Sequence, residues 1–301
     1  KISIIIPTFN RLDVISKTLL AIDHQNINLN QIETIIVDDG SEKVQLNRLK
    51  HLVKNIKVKT RFYTQKHKGP ATARNFGIKK AIGNIVLIIN DDTVPTPNLI
   101  KRHLLFHKRH PKINHALLGL VSWHPDLDIT PFMIWLENGG PYFSYDKIRG
   151  KDAGWQRFWT CNISLKKEFL INKGMFDESF PNASWEDIEL GYRLSLSKLI
   201  LSYDRQALGY HYHSTSFNSI RNKMLANGRN LVLIRQKMPP KYWPPLAKYP
   251  KLFFALDKIF FLRYLAGLFS FFPRITNLSL FNSLNQLALL HYRIVGFKSV
   301  Y

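Results

Sequence analysis

The chain begins with short apolar runs that alternate with segments of helical periodicity. β-Branched and other apolar residues fill positions 2–6, 32–37 and 85–89. Between them, apolar residues recur every three or four positions, as in 14–22 and 46–53. Runs of the first kind predict buried strands, and the spacing of the second kind predicts amphipathic helices. This order predicts an α/β fold in which helices flank a mostly parallel central sheet.

Further elements are predicted beyond these runs. Residues 56–63 alternate between polar and apolar, as a half-exposed strand would. Ser184 and Asp187 have the spacing of a capping box at the start of a helix over 184–196. Other strands are predicted at 158–165, 199–203 and 207–213, and other helices at 71–82, 167–172 and 219–237.

The regular pattern fails over residues 122–156, which are rich in proline, glycine, aspartate and aromatic residues. A connection of this length in a compact domain is usually a functional loop. Two interpretations stay open: a lid that closes over a site, or an insertion with a small helix of its own.

The composition restricts the class of partner. The formal net charge is +22, which implies an anionic partner: nucleic acid, an anionic membrane surface or phosphorylated small molecules. Cys161 is the one cysteine, so we interpret it as a core residue and expect a reducing, cytoplasmic compartment. No signal-peptide pattern opens the chain, and no apolar run reaches the about 18 residues of a membrane span.

Three polar clusters each follow the carboxyl end of a predicted parallel strand, at 7–10, 38–41 and 90–92. Ligands of open α/β sheets bind at that edge. The dinucleotide motif G-x-G-x-x-G does not follow the first strand, and the phosphate-binding motif G-x-x-x-x-G-K-[ST] is absent from the sequence. If this edge binds a nucleotide, carboxylates beside its diphosphate would repel it unless a divalent cation lay between them. The oxygen ligands of 90–92 suit Mg²⁺ or Mn²⁺.

Charged groups near a predicted helix start suit phosphate. Lys68 and Arg74 flank the helix that opens at Gly69-Pro70, where the helix dipole also favours an anion. Asp39 could accept a hydrogen bond from a base or a ribose hydroxyl.

Two later motifs admit a functional and an ordinary interpretation. Glu186 and Asp187 follow Trp185, as a base beside a sugar-binding platform would, although Asp187 also fits a helix cap. His211 and His213 share one face of a predicted strand and could supply a metal ligand. In isolation, histidines that are merely buried or solvent-facing are the commoner explanation of that spacing.

Taken together, these motifs resemble glycosyltransferase family 2, whose fold is GT-A. The matching segments are IIIPTFN at 4–10, VDDGS at 37–41, GPATARN at 69–75, NDD at 90–92 and WEDIELGYRL at 185–194. The last segment also resembles the C-terminal motif of galactosyltransferase-type enzymes. Asn90 stands where the family more often has the first aspartate of its acidic triplet.

The resemblance implies a role for each matching residue. Asp187 would be the catalytic base, with Glu186 and Trp185 at the acceptor. Asp92 would bind the metal, completed by His211 or His213, of which the family pattern favours His211. Thr8 and Asp39 would contact the nucleoside, Arg74 would orient the nucleotide, and Asp91 would face the ribose and donor sugar. The implied nucleotide-binding residues are Pro7, Thr8, Asn10, Asp39, Lys68, Gly69, Arg74 and Asp91.

The implied reaction is an inverting transfer from a nucleotide-sugar, by default a UDP-sugar, to an acceptor hydroxyl with Mn²⁺ or Mg²⁺ as cofactor. The acceptor would be a glycan or a lipid-linked sugar in bacterial polysaccharide or glycoconjugate synthesis. We expect a GT-A catalytic domain over 1–215, with a nucleotide-sugar half at 1–121 and an acceptor half at 122–215. A helical extension would follow at 216–301.

The C-terminal tail differs in character. Residues 239–301 contain eight basic residues and one acidic residue, and charges interrupt the apolar stretch 252–272. This pattern suits an interfacial helix at the inner membrane face. Packing against the catalytic domain, or against a second copy in an oligomer, stays open.

Other function classes fit less well. A nucleic-acid-binding protein would carry a recognisable binding module, and none is found. A nucleotidyltransferase would have a glycine-rich basic loop after the first strand, whereas residues 7–12 contain no glycine. An inactive sugar-nucleotide-binding homologue remains an alternative.

Overall fold

The computed structural model describes residues 1–138, 140, 144–259 and 279–301. These residues form two compact units. The sheet unit comprises Lys1–Leu127, Ile148–Pro181 and Glu186–His213. The helical unit comprises the described parts of Asp128–Lys147, Asn182–Trp185 and Ser214–Tyr301. The domain boundary expected near residue 215 stays a prediction.

The sheet unit is built on eight described strands in one sheet. In chain order they are β1 (Ile2–Thr8), β2 (Ile32–Asp38), β3 (Thr60–Thr64), β4 (Ile85–Ile89), β5 (Thr93–Pro95), β6 (His115–Trp123), β7 (Asn162–Lys166) and β8 (Ile200–His211). Their spatial order is β3-β2-β1-β4-β7-β6-β8-β5. Strands β3, β2, β1 and β4 are parallel, β7 is antiparallel to both of its neighbours, and β6 is parallel to β8.

Helices connect the strands and cover the sheet. The sheet unit contains α1 (Leu12–Asp23), α2 (Lys43–Lys54), α3 (Pro70–Lys80), α4 (Leu99–Arg109), α6 (Lys167–Asn172) and α7 (Glu186–Ser195). The helical unit contains α5 (Pro131–Asn138), α8 (Phe217–Lys237), α9 (Pro245–Lys248), α10 (Pro250–Ile259) and α11 (Ser279–Lys298). The predicted α/β fold is confirmed.

The apolar runs read from the sequence form the core of the sheet unit. Ile4 and Ile6 of β1 and Ile36 of β2 are fully buried, and they pack with Ile15 and Leu19 of α1. Burying an aliphatic side chain of this size stabilises the fold by about 1.5–3 kcal/mol. The core therefore holds the first strands in register and aligns their carboxyl ends.

A buried polar network joins α4 to β7. His103 lies between Asn162 and Ser164, with nitrogen-to-oxygen distances of 2.9 and 2.7 Å. His107 lies 2.8 Å from the same Ser164 hydroxyl and 2.9 Å from Lys166 Nζ. Burial lowers the pKa of His103 to about 4 and that of His107 to about 2, so both rings are neutral at pH 7.

The helical unit has its own core. Leu231 of α8 packs with Ile294 and Phe297 of α11. The two helices approach closely at Gly228 and Gly296, where a Cβ atom on either would collide with the backbone of the other helix. Glycine at both positions lets these helices pack at short range.

Three local predictions were wrong. Helix α7 begins at Glu186, and the capping box does not form: the Ser184 hydroxyl accepts from Asn227, and Asp187 accepts from Ile188 N. The two strands predicted at 199–203 and 207–213 are one strand, Ile200–His211. This strand stays paired with β6 on both sides of a register shift that follows Gly119 of β6. Strand β8 ends at His211, so His213 does not share its strand face.

Parts of two predicted segments lie outside the described residues. These are 139 and 141–143 within the irregular stretch 122–156, and 260–272 of the apolar tail segment. None of the helices within the described residues combines the length and the apolarity needed to cross a membrane.

Candidate functional site

The acidic pair after β4 lies at the centre of the sheet edge. Asp91 and Asp92 are 4% and 2% exposed. The hydroxyl of Thr8, the last residue of β1, donates to Asp91 Oδ2 at 2.9 Å. Thr18 of α1 donates to the Asp91 carbonyl at 2.8 Å. The two strand ends predicted to converge therefore do so, through direct hydrogen bonds.

Arg11 forms an ion pair with both carboxylates of this acidic pair. Its Nη1 lies 3.0 Å from Asp91 Oδ1, and its Nη2 lies 2.6 Å from Asp92 Oδ2. Burial and the neighbouring charge of Asp92 nevertheless raise the pKa of Asp91, although Arg11 and Thr8 oppose the shift. Arg11 carries no signal in the sequence, because its contacts are formed with residues 80 or more positions away.

The end of β8 brings an imidazole to Asp92. His211 pairs with Thr93 across β5 and β8, and its Nε2 lies 3.3 Å from Asp92 Oδ2. His211 is 3% exposed and packs edge-on against Trp123 at 5.3 Å between ring centroids. His213 lies in the following coil, with its ring centroid 6.1 Å from that of His211. Asp92 and His211 therefore lie together, and their role as metal ligands stays a prediction.

Asp92 and His211 could share a divalent cation in one of two arrangements. Among the described residues, no group of three or more histidine, cysteine, aspartate or glutamate side chains is arranged to hold a metal ion. Mg²⁺ and similar ions are, however, usually held by one or two protein groups together with substrate phosphates and water. Asp92 Oδ2 and His211 Nε2 converge within 3.3 Å, so they fit that second arrangement.

Asp39 holds the loop that leads into α3. Its Oδ1 accepts from Gln65 Nε2 at 2.7 Å and from Lys68 N at 2.9 Å. Its Oδ2 accepts from Gly69 N at 2.9 Å and lies 2.9 Å from His67 Nδ1. Asp39 is only 4% exposed, so in this structure its carboxylate shapes the loop beside the predicted nucleoside site.

Helix α3 starts beside this loop. Gly69 has φ +91°, and a Cβ there would lie 2.7 Å from the Pro181 carbonyl oxygen, so only glycine fits. Pro70 follows at the first helical position, which a residue without an N–H tolerates. The side chain of Lys68 is exposed at this helix start, where its charge would favour a phosphate.

An aromatic pair that the sequence analysis missed lies on the same rim. Phe9 is 40% exposed and stacks on His67 at 4.4 Å between ring centroids. Exposed stacked rings suit a flat ligand such as a nucleobase. The sequence did carry one signal for this pair: Phe9 is an aromatic residue within the polar cluster 7–10, in a turn that does not require an aromatic side chain.

The remaining predicted residues of the first strand end have structural contacts. Pro7 is paired with Val37 in the parallel ladder of β1 and β2. Asn10 has φ +53°, its N donates to the Ser41 hydroxyl at 2.7 Å, and its Oδ1 accepts from Glu42 N at 2.9 Å. Asn10 therefore ties the loop after β1 to the loop after β2.

Arg74 and Glu186 form a buried ion pair. The distance from Arg74 Nη1 to Glu186 Oε1 is 2.6 Å, and the two side chains are 4% and 3% exposed. Arg74 Nε and Glu186 Oε2 are buried and have no hydrogen-bond partner among the described residues. The pair joins α3 to the start of α7, across 112 positions of sequence.

Asp187 follows Glu186 at the second residue of α7 and is partly exposed. Desolvation by the surrounding protein and the negative charge of Glu186 raise its pKa to about 7, and the positive charge of Arg74 lowers it only in part. Because the Arg74 guanidinium binds Glu186, the pKa of Asp187 stays raised toward neutral, as a general base requires.

Trp185 belongs to the helical unit. Its Nε1 donates to the carbonyl of Asn227 at 3.2 Å, and the Arg293 guanidinium lies 5.2 Å from its ring centroid. Its φ of +73° is uncommon for a bulky residue, so these contacts hold a strained backbone immediately before Glu186.

The sheet unit thus assembles most of the predicted site residues. Asp187 and Glu186 stand together with Arg74, while Thr8, Asp91, Asp92 and His211 form a second contiguous group. Asp39, Lys68 and Gly69 form a third group at the start of α3.

Residues 3–146 match the model of Glycosyl transferase family 2. Validoxylamine A glucosyltransferase of Streptomyces hygroscopicus subsp. jinggangensis is 24% identical over 275 residues, covering 80% of this chain and 63% of the relative. Chondroitin synthase of Pasteurella multocida is 25% identical over 271 residues, covering 80% and 28%. The chain therefore spans less than two thirds of the length of these relatives.

Solved structures share the fold. A mannosyltransferase from Pyrobaculum calidifontis, in complex with GDP-Man and Mn²⁺, superposes with a TM-score of 0.64 at 15% identity, covering 99% of this chain and 86% of that one. S. aureus TarS in complex with UDP-GlcNAc gives 0.56 at 18% identity, covering 99% and 91%. The fold predicted from the resemblance is confirmed.

Proposed function

Because residues 3–146 match Glycosyl transferase family 2, we propose that this chain transfers a sugar from a nucleotide-sugar donor to an acceptor hydroxyl. The transfer is a single displacement that inverts the anomeric carbon. The observation that carries the proposal is the partly exposed carboxyl of Asp187, whose pKa is raised to about 7 beside a glutamate that is already paired. A transfer to a hydroxyl requires such a base.

Asp187 removes the proton of the attacking hydroxyl. A general base works best when its pKa lies near the operating pH, and such catalysis contributes typically ~10²–10⁴-fold. Glu186 is less suited to this step, because its Oε1 lies 2.6 Å from the Arg74 guanidinium. Glu186 Oε2, which has no hydrogen-bond partner among the described residues, would accept a hydrogen bond from the acceptor or the donor sugar and orient it.

The donor diphosphate lies at the acidic edge. Asp92 and His211 would hold Mn²⁺ or Mg²⁺, which supplies charge stabilisation to the leaving diphosphate when bound. The start of α3 and the Lys68 ammonium favour the same anion. Asp91 accepts from Thr8 and would also accept from a sugar or ribose hydroxyl at the same edge.

The nucleoside occupies the rim formed by Phe9, His67 and the loop held by Asp39. We take uridine as its base, since S. aureus TarS of the same fold is described with UDP-GlcNAc. Guanosine is the competing choice, because the mannosyltransferase of Pyrobaculum calidifontis is described with GDP-Man.

The acceptor class is a glycan or a lipid-linked sugar in polysaccharide or glycoconjugate synthesis. Chondroitin synthases are among the relatives, and they build a polysaccharide. The excess of basic residues in 239–301 supports peripheral contact with an anionic membrane. Flotation of the full chain with anionic vesicles, but not with neutral ones, would support that contact; flotation with neither would exclude it.

The proposal is tested with a panel of UDP- and GDP-sugars, each with and without Mn²⁺ and a mixture of sugar acceptors. The expected result is acceptor-dependent release of nucleoside diphosphate and a product of inverted anomeric configuration by NMR. Release of pyrophosphate instead would indicate a nucleotidyltransferase. Binding without turnover would indicate an inactive homologue, and retained configuration would exclude the single displacement.

A further inference from the structure

The Arg11 guanidinium sits on the oxygen that the proposed cation needs. Its Nη2 lies 2.6 Å from Asp92 Oδ2, and the same oxygen lies 3.3 Å from His211 Nε2. Its Nη1 also holds Asp91 at 3.0 Å. Two cationic centres on one carboxylate oxygen repel each other strongly in a partly buried site. A divalent ion on Asp92 Oδ2 would therefore compete with Arg11 for that oxygen.

The backbone around Arg11 is anchored, whereas its side chain is accessible. Asn10, the preceding residue, is bonded through its N and Oδ1 to Ser41 and Glu42. The left-handed turn at Asn10, with φ +53°, directs the chain into α1. The Arg11 side chain is 32% exposed, while those of Asp91 and Asp92 are 6% and 3% exposed. The long side chain can leave the carboxylates without moving the loop.

We propose that Arg11 is an exchangeable counter-ion of Asp91 and Asp92, which yields Asp92 to the divalent cation and then pairs with the donor diphosphate. The proposal rests on the proposed function, because it assumes a cation and a diphosphate at this edge. Before the exchange, Arg11 stabilises two buried carboxylates that would otherwise repel each other. After it, the guanidinium finds new anionic oxygens in the ligand, for which its planar donors are suited.

The exchange makes cation and nucleotide binding cooperative. A cation that arrives alone must displace Arg11 into water, which weakens its affinity. A cation that arrives with a nucleoside diphosphate lets Arg11 keep an anionic partner. This coupling is reciprocal, so each ligand must tighten the other by the same factor.

The test measures Mn²⁺ binding by electron paramagnetic resonance, with and without UDP or GDP, and needs no sugar transfer. Arg11→Gln should bind Mn²⁺ alone on the order of tenfold more tightly than the unmodified protein, since tenfold corresponds to the loss of one modest ion pair. The nucleotide should then tighten Mn²⁺ binding less in Arg11→Gln than in the unmodified protein. Arg11→Lys, which keeps the charge but loses the two-pronged contact, should fall between them.

A matched control is Arg102→Gln. Arg102 pairs with Asp204 at 2.5 Å and has a similarly exposed side chain, at 35%, but lies away from the acidic edge. It should leave Mn²⁺ affinity unchanged. A thermal melt serves as the second readout: Arg11→Gln should melt lower without Mn²⁺ and gain more from it.

The outcomes separate the two hypotheses. Arg11→Gln could bind Mn²⁺ with unchanged or weaker affinity and show normal cooperativity with nucleotide. That result would overturn the exchange and leave the proposed metal-dependent transfer standing. Absence of Mn²⁺ binding in every protein, even with nucleotide, would overturn the metal dependence and the exchange together.

Discussion

Replacing Asp187 by asparagine should make the protein more stable at pH 8 while removing most of its activity. The carboxyl has a pKa of about 7 in the folded chain, against 3.8 for an ordinary aspartate. A folded-state pKa that is raised means that the folded protein binds the proton more tightly than the unfolded chain does. Its stabilising contribution is therefore present below about pH 4 and is lost as the pH rises through 7.

The size of the effect follows from the shift. A difference from 3.8 to about 7 corresponds to about 4 kcal/mol against folding at pH 8, at 1.36 kcal/mol per pH unit. Because Asp187 is partly exposed, water screens the neighbouring charge, and we expect about 2 kcal/mol. Asparagine keeps the shape and carries no charge, so Asp187→Asn should gain this amount at pH 8 and little at pH 4.

Asp13→Asn provides the matched control. Asp13 is exposed and is the second residue of α1, as Asp187 is of α7. Its replacement should cost about 0.3–1 kcal/mol at pH 8 through the helix dipole and should leave activity intact. Urea unfolding at pH 4, 6 and 8 gives the stabilities, and acceptor-dependent release of nucleoside diphosphate gives kcat/KM.

The two roles of Asp187 predict opposite signs. A base predicts a gain in stability with a loss of about 10²–10⁴-fold in kcat/KM. A role limited to the helix dipole predicts a small loss of stability, as for Asp13, with normal transfer. Normal transfer by Asp187→Asn would refute the assignment of the base, and equal stability of both proteins at pH 8 would refute the reasoning on its pKa.

Three further predictions follow from the same structure. Arg74→Gln should lower the free energy of unfolding by about 3–5 kcal/mol, because it breaks a buried ion pair. It should also move the inflection of the pH–kcat/KM profile to higher pH, because Arg74 lowers the pKa of Asp187. An unmoved inflection would contradict this. Acidification from pH 6.5 to 4 should destabilise the unmodified protein, because the pKa of His107 is depressed to about 2 and only the unfolded chain takes up its proton. His107→Gln should reduce that slope by up to about 1.4 kcal/mol per pH unit in urea titrations, and an identical slope would argue against it. Gly69→Ala should destabilise the fold clearly more than Gly150→Ala does. Both glycines have positive φ, but only at Gly69 would the new methyl lie 2.7 Å from a carbonyl oxygen. Equal losses in urea unfolding would show that backbone strain alone sets the cost of the substitution.

Much of the sheet unit could be predicted from the sequence. The apolar runs that became β1, β2 and β4 are local signals, because a buried strand needs apolar side chains on both faces. Parallel strands of one sheet bring their carboxyl ends to one edge, so Thr8 and Asp91 could be placed near each other without coordinates. The capping box was wrong because Ser184 and Asp187 bond to other groups, a choice that spacing does not reveal.

The sequence by itself determined which chemical groups stand at the strand ends: carboxylates after β4, a glycine and a proline at the start of α3, and two adjacent acids at the start of α7. Only the tertiary structure decided which of them are neutralised. Arg74 meets Glu186 across 112 positions and Arg11 meets Asp92 across 81. Electrostatic and desolvation effects depend on distances of a few ångströms and on burial, and neither can be read from spacing along the chain. That is why the sequence could propose Asp187 as a base, while the fold left Asp187, and not its neighbour Glu186, without the guanidinium.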